Sequence, residues 1–277
     1  MLLSAACRTF ALILVFSVSS SVSYSQPALP PGSAHYQIYQ QNKAVGVGDY
    51  SVQATGNGYS IASHGKLNLT KFSYSFTHTQ ILDGSLNLVR DELSGTVNGS
   101  AVTFAVAADS TGRQFQISVS ANGKQTQNTL DRHQHLVLLP DLDPAAYLLL
   151  SRVAMENPPT SWILIPKEDG ILVPSSIAPG TSVRGRLNGS ETDVQHATIS
   201  VSSENSISIE LFYTSDGQVL EADLPQQNFS VVRDGFKLLD DPKPSGPPTP
   251  AQSSTKPSPA RPQYSTQQAG GPQTQEQ

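Results

Sequence analysis

Ala101-Val-Thr-Phe-Ala-Val-Ala107, Asp109-Ser-Thr-Gly112, Phe115-Gln-Ile-Ser-Val119 and Ala121-Asn-Gly123 follow one another along the chain, and this stretch decides the fold. Val102, Phe104 and Val106 share one side of an extended chain, and Phe115, Ile117 and Val119 repeat the arrangement. Alternation of period two puts such residues on one buried face of a β-strand, with the other face wet or thinly covered. The breaks carry turn chemistry. Asn-Gly and Asp-Gly pairs accept the positive φ of tight hairpins, so two strands joined this way pair antiparallel.

The same pattern extends in both directions. Upstream lie Tyr50-Ser-Val52, Tyr59-Ser-Ile61, Leu67 with Leu69, Phe72-Tyr74-Phe76 and Leu86 with Leu88; downstream lie Val194 to Val201 and Ile207-Ile209-Leu211-Tyr213. Between strands stand Gly56-Asn-Gly58, Asp83-Gly84, Asn98-Gly99, Asn188-Gly189 and Asp216-Gly217. Repeated hairpins at this spacing predict a mainly β fold: a strongly curved antiparallel sheet or incomplete barrel with one covering helix. The helix is predicted from Leu142 to Met155. Asp143 can cap it, Pro144 suits its first position, and Asn157-Pro158-Pro159 ends it. It is expected to cover the open face or mouth of the sheet, with a crossover between two halves of the sheet as the alternative. Arg152 is expected to snorkel beside its apolar stripe. Pro166 and Pro174 follow short apolar runs and mark strand ends or edges.

Both termini read differently. Arg8, the apolar run Phe10–Phe16 and the small polar residues Ser17–Ser25 have the order of a signal peptide over residues 1–25. The apolar run is far short of the ~20 residues that span a bilayer, so stable membrane insertion is not expected. Cys7, the only cysteine, precedes that run, which leaves the mature chain no thiol for disulfides, catalysis or metal binding. Residues 241–277 are rich in Pro, Ser, Thr and Gln, a composition too poor in apolar groups to repay ordering, and are expected to be a disordered tail. One antiparallel β domain is left for residues 30–240. It carries 20 Asp and Glu against 13 Lys and Arg with no basic block, which argues against nucleic acid as a partner. A periplasmic or secreted location follows.

Reactive constellations are sparse. Asp131, His133 and His135 alternate and are candidate metal ligands if they project from one strand face. The competing reading is a polar patch. His35, His64, His78 and His196 are isolated, with His78 extending the Phe72-Tyr74-Phe76 face. Asp91 and Glu92 point to opposite sides of a strand. Glu221 and Asp223 share a face and read as solvated. There is no nucleophile elbow, and Gly46-Val-Gly48 lacks the strand–turn–helix setting of a phosphate loop. No cofactor is indicated.

Three stretches carry a resemblance: Leu136-Val-Leu-Leu-Pro140 with the helix after it, Trp162-Ile-Leu-Ile-Pro166, and Phe212–Leu220 continuing through Leu224–Arg233. In these the chain is similar to uncharacterised bacterial periplasmic curved-sheet proteins that distantly resemble the half-barrel superfamily of lipoprotein carriers and receptors. The resemblance implies a bent sheet whose concave side holds an acyl chain or another apolar small molecule. It carries over no functional residue. Tyr147, Leu148, Met155 and Trp162 are the candidate ligand-binding residues. The expected function is a non-catalytic exported domain binding an apolar ligand or an envelope protein. The alternatives are an assembly role through sheet edges or tail, and a hydrolase or carbohydrate-active enzyme.

Overall fold

The computed structural model describes residues 28–167, 170–202 and 206–240. The expected signal peptide and tail lie outside them. A meander opens the fold: β1 (Gly32–Gln40), β2 (Lys43–Thr55), β3 (Gly58–Leu69), β4 (Phe72–Asp83), β5 (Leu88–Val97), β6 (Ser100–Ala108), β7 (Gln114–Ala121) and β8 (Lys124–Asp131). Each strand pairs antiparallel with the next. The hairpin chemistry appears where the sequence places it: Asn98 and Gly99, Asn122 and Gly123, and Asn188 and Gly189 all have positive φ.

A short β9 (Leu136–Leu138) leads to helix α1 (Pro144–Glu156). The chain returns through β10 (Ser161–Ile165), β11 (Ile171–Pro179), β12 (Val183–Leu187), β13 (Ser190–Val201), β14 (Ile207–Tyr213), β15 (Val219–Leu224), β16 (Phe229–Arg233) and β17 (Phe236–Leu238). The two halves join where β1 pairs with β16, and the ladder then runs β15, β14, β13, β11, β10 and a parallel β9. Strands β12 and β17 form a flap on the first half of β13. The sheet is curved and not closed. Among the described residues no strand pairs with the far side of β8, whose Lys, Gln, Thr and Asp side chains are the kind that discourage edge-to-edge addition.

Two expectations are refined and one is corrected. Pro174 is not a strand end: it lies inside β11, beside Ser175, where that strand changes partner from β10 to β13. A residue without an N–H is tolerated there because Pro174 pairs with β10 alone, one residue before β13 begins to pair, which is the edge setting its sequence suggested. Helix α1 does more than cover the sheet's mouth. Every residue from Pro144 to Ala154 is buried, so the helix fills part of the concavity, packed on β2, β3, β9, β14 and β15. A helix with no wet face must be enclosed on all sides. Its start sits so close to β2 that a Cβ on Gly48 would come within 2.9 Å of Pro144. Asp143 accepts from the Ala145 N–H at 2.9 Å, and Asn157 ends the helix in the left-handed region, as the sequence predicts. Arg152 does not snorkel. It is 4% exposed, and its Nε and Nη2 groups find no hydrogen-bond partner among the described residues.

Candidate ligand cavity

The concave face of β4 to β7 is where packing stops short. Phe72 and Tyr74 of β4, Leu93 of β5, Val102 and Phe104 of β6 and Val119 of β7 line one side of a cavity of about 290 Å³. Leu139, Ile165 and Pro166 close the other side, and Asp141 and Lys167 stand at the exposed rim. These rows are the inward halves of the alternating stretches, so an apolar lining follows from the period-two pattern. Its apolar lining is partly open to solvent at the Asp141–Lys167 rim. The Tyr74 ring stacks on Phe76 with centroids 5.4 Å apart. Burial, reinforced by the charges of Asp141 and Asp143, holds the Tyr74 phenol above its ordinary pKa, so it stays neutral. The wall therefore offers mostly apolar surface, with Tyr74 and Thr103 as its neutral hydroxyl-bearing residues.

The inward row of β4 continues from Phe76 to His78, which is fully buried. Its Nδ1 meets Asp143 Oδ2 at 2.5 Å, and its Nε2 meets Asp91 Oδ2 at 2.8 Å. Gln80 Nε2 donates to the same Asp91 oxygen at 2.9 Å. Burial alone would depress the imidazole, but the Asp91 and Asp143 carboxylates outweigh it and lift His78 to about 10. At neutral pH the ring is a cation donating from both nitrogens. It has no lone pair to accept a proton from Ser63, its strand-pair neighbour, so the trio cannot activate a nucleophile. What it does is tie the helix N-cap to β4 and β5.

A second polar group lies on the opposite face of β13, β14 and β15. His196 Nε2 meets Glu210 Oε2 at 2.7 Å, Thr198 donates to the same oxygen at 2.8 Å, and the His196 ring stacks on Phe212. The hydrogen bond from His196 is the chief cause holding the Glu210 carboxyl below its ordinary range. Glu221 and Asp223 are not solvated as expected; they are half-buried. Burial and their mutual proximity raise Glu221, and burial is the main cause that raises Asp223, so the two share a proton as pH approaches neutrality. This cluster lines neither the apolar cavity nor the void beside it.

No family model matches the chain, and no curated protein matches it. Among solved structures it is similar to a DUF1089 family protein of Pseudomonas aeruginosa, with a TM-score of 0.39 and 10% identity over 80% of this chain and 98% of that one. It is also similar to a protein of Bacteroides fragilis described as having a YmcC-like fold, with a TM-score of 0.27 and 5% identity over 76% of this chain and 97% of that one. Likenesses this distant carry nothing about ligand or chemistry.

The structure scatters the ligand-binding candidates. Tyr147 is buried beside the strap that leads into α1, Leu148 is buried within the helix, and Met155 is exposed at its far end. Trp162, in β10, stacks on His133 at 4.0 Å. None of the four lines the main cavity. The metal candidates do not share a strand face, because β8 ends at Asp131 and the chain turns there. Asp131 accepts from Gln114, His133 holds Trp162, and His135 meets Glu156 at 3.2 Å. Among the described residues no three His, Cys, Asp or Glu side chains converge on an ion site. No helix among them is long and apolar enough to cross a membrane. The cavity lining was visible in the sequence as strand faces; nothing local showed that these faces would be left uncovered.

Proposed function

We propose that this protein is an exported, non-catalytic domain that holds a small apolar ligand, such as an acyl chain, against the concave face of β4 to β7. One observation carries the reading: a partly open apolar cavity of about 290 Å³ on the concave face of the sheet. That volume lies at the lower edge of the range of small-molecule sites, roughly 300–1,000 Å³. Apolar cavities of even half that size stay dry and take up apolar guests. The signal-like order of residues 1–25 supports export, and the stretches resembling the lipoprotein carriers and receptors support an acyl chain as the guest. Catalysis has no comparable support, since both nitrogens of the buried imidazole are held by carboxylates.

Native mass spectrometry of the protein expressed through its export route tests the reading. The expected result is one small apolar molecule per chain, removable by organic extraction and replaceable by an added alkyl probe. A clean unliganded mass together with no uptake of any alkyl probe would overturn it.

A further inference from the structure

Residues Leu139–Leu142, which link β9 to α1, form a strap across the mouth of the sheet. On one side lies the main cavity, against the meander half. On the other lies a second void of about 40 Å³, against the start of β14 and the end of β15, with Leu142, Tyr147, Ile207 and Leu224 in its wall. Leu139, Asp141, Ile165 and Lys167 line both spaces. Asp141 and Lys167 are exposed, whereas Leu139 and Ile165 are buried, so the boundary between the voids is polar toward solvent and apolar beneath.

We propose that the two voids are one binding site passing beneath this strap, and that its ligand is a single unbranched hydrocarbon chain whose end reaches the second void. This rests on the apolar-ligand reading and specifies the ligand's shape. A void of about 40 Å³ has room on the order of one water molecule, enough for the tip of a chain and too little for a ring or a branched group. The strap is tied at its ends. Leu139 N–H donates to the Leu164 carbonyl at 2.9 Å, and Asp143, just past the strap, is held by His78. Between these ties Leu142 has a φ of 60°, a conformation that a bulky residue rarely adopts. The strap's path over the boundary is thus imposed by its anchors against the local preference of its own backbone.

The test compares octanoate with palmitate by calorimetric titration of the exported protein and of Ile207→Phe, which fills the second void from an accessible strand end. Palmitate is expected to bind the parent more tightly than octanoate. Ile207→Phe is expected to weaken palmitate about tenfold, the effect of excluding a couple of methylenes, and to leave octanoate unchanged. Leu224→Phe, entering the same void from another strand, should reproduce the result if Ile207→Phe fails to fold. Equal loss for both alkanoates, or no loss for either, would overturn the threaded site while leaving the main cavity's role intact. Binding of neither alkanoate to the parent would overturn both proposals.

Discussion

The two halves of this sheet are built from the same alternating pattern, yet one is close-packed save for a void of about 40 Å³ and the other leaves a cavity of about 290 Å³. In the return half the inward residues Ile199, Val201, Ile209, Leu211, Val219 and Ala222 have no exposure at all. In the meander half Phe72, Tyr74, Val102 and Val119 face a cavity of about 290 Å³, while Val106 and Ile117 further along the same rows are buried. The helix explains the difference. Its closest packing is on β2, β3, β9, β14 and β15, and β5, β6 and β7 are not among its main neighbours. An apolar strand face is therefore only a potential core; whether it becomes core or ligand site depends on what the topology lays over it.

The largest expected effect is on the tie that fixes the helix in this position. His78→Ala leaves Asp91 and Asp143 buried without their cation and should cost about 3–5 kcal/mol in denaturant unfolding. A loss under about 1 kcal/mol would mean that the trio does not anchor the helix.

The next effect separates the two halves directly. Ile209→Ala, in the filled half, should cost about 2–5 kcal/mol because it opens a hole in close packing. Val102→Trp, in the hollow half, should be close to neutral for stability while abolishing ligand uptake. If the tryptophan destabilises as much as the truncation does, the cavity is not space waiting to be occupied.

A smaller effect is set by pH. The His78 pKa is about 10 in the folded protein against 6.5 ordinarily, so its contribution to stability is complete below about 6.5 and is lost as pH rises through 10. Glu221 and Asp223 also hold their protons more tightly when folded, so their deprotonation opposes folding as pH climbs from the carboxylate range toward neutrality. Stability should therefore decline with rising pH in two stages. Glu221→Gln should flatten the lower stage and leave the upper one, as pH-resolved thermal melts would show. The smallest effect belongs to Met155→Ala, at an exposed position, expected within about 0.5 kcal/mol by the same melts.

Much of the architecture was legible because period-two alternation and Asn-Gly turns are local signals. The cap at Asp143 and the helix over residues 144–156 were legible for the same reason. The site was less so. His78, Asp91 and Asp143 lie on three elements, with His78 and Asp143 separated by 65 residues, and each alone looked like an ordinary strand or cap residue. Asp91 and Glu92 could be placed on opposite faces of a strand, but neither the inward side nor the partners of Asp91 could be read. The apolar character of Met155 and Trp162 does not distinguish a helix end or a stacked strand residue from a cavity wall. Glu221 and Asp223 looked solvated because their burial comes from elements packed around them in space.

Titration of palmitate into the protein and into Val102→Trp tests the hollow meander face most directly. One chain bound per molecule in the parent, and none in a variant that still folds, is the predicted result. Binding that survives the tryptophan, or a parent that takes up no palmitate, would contradict it.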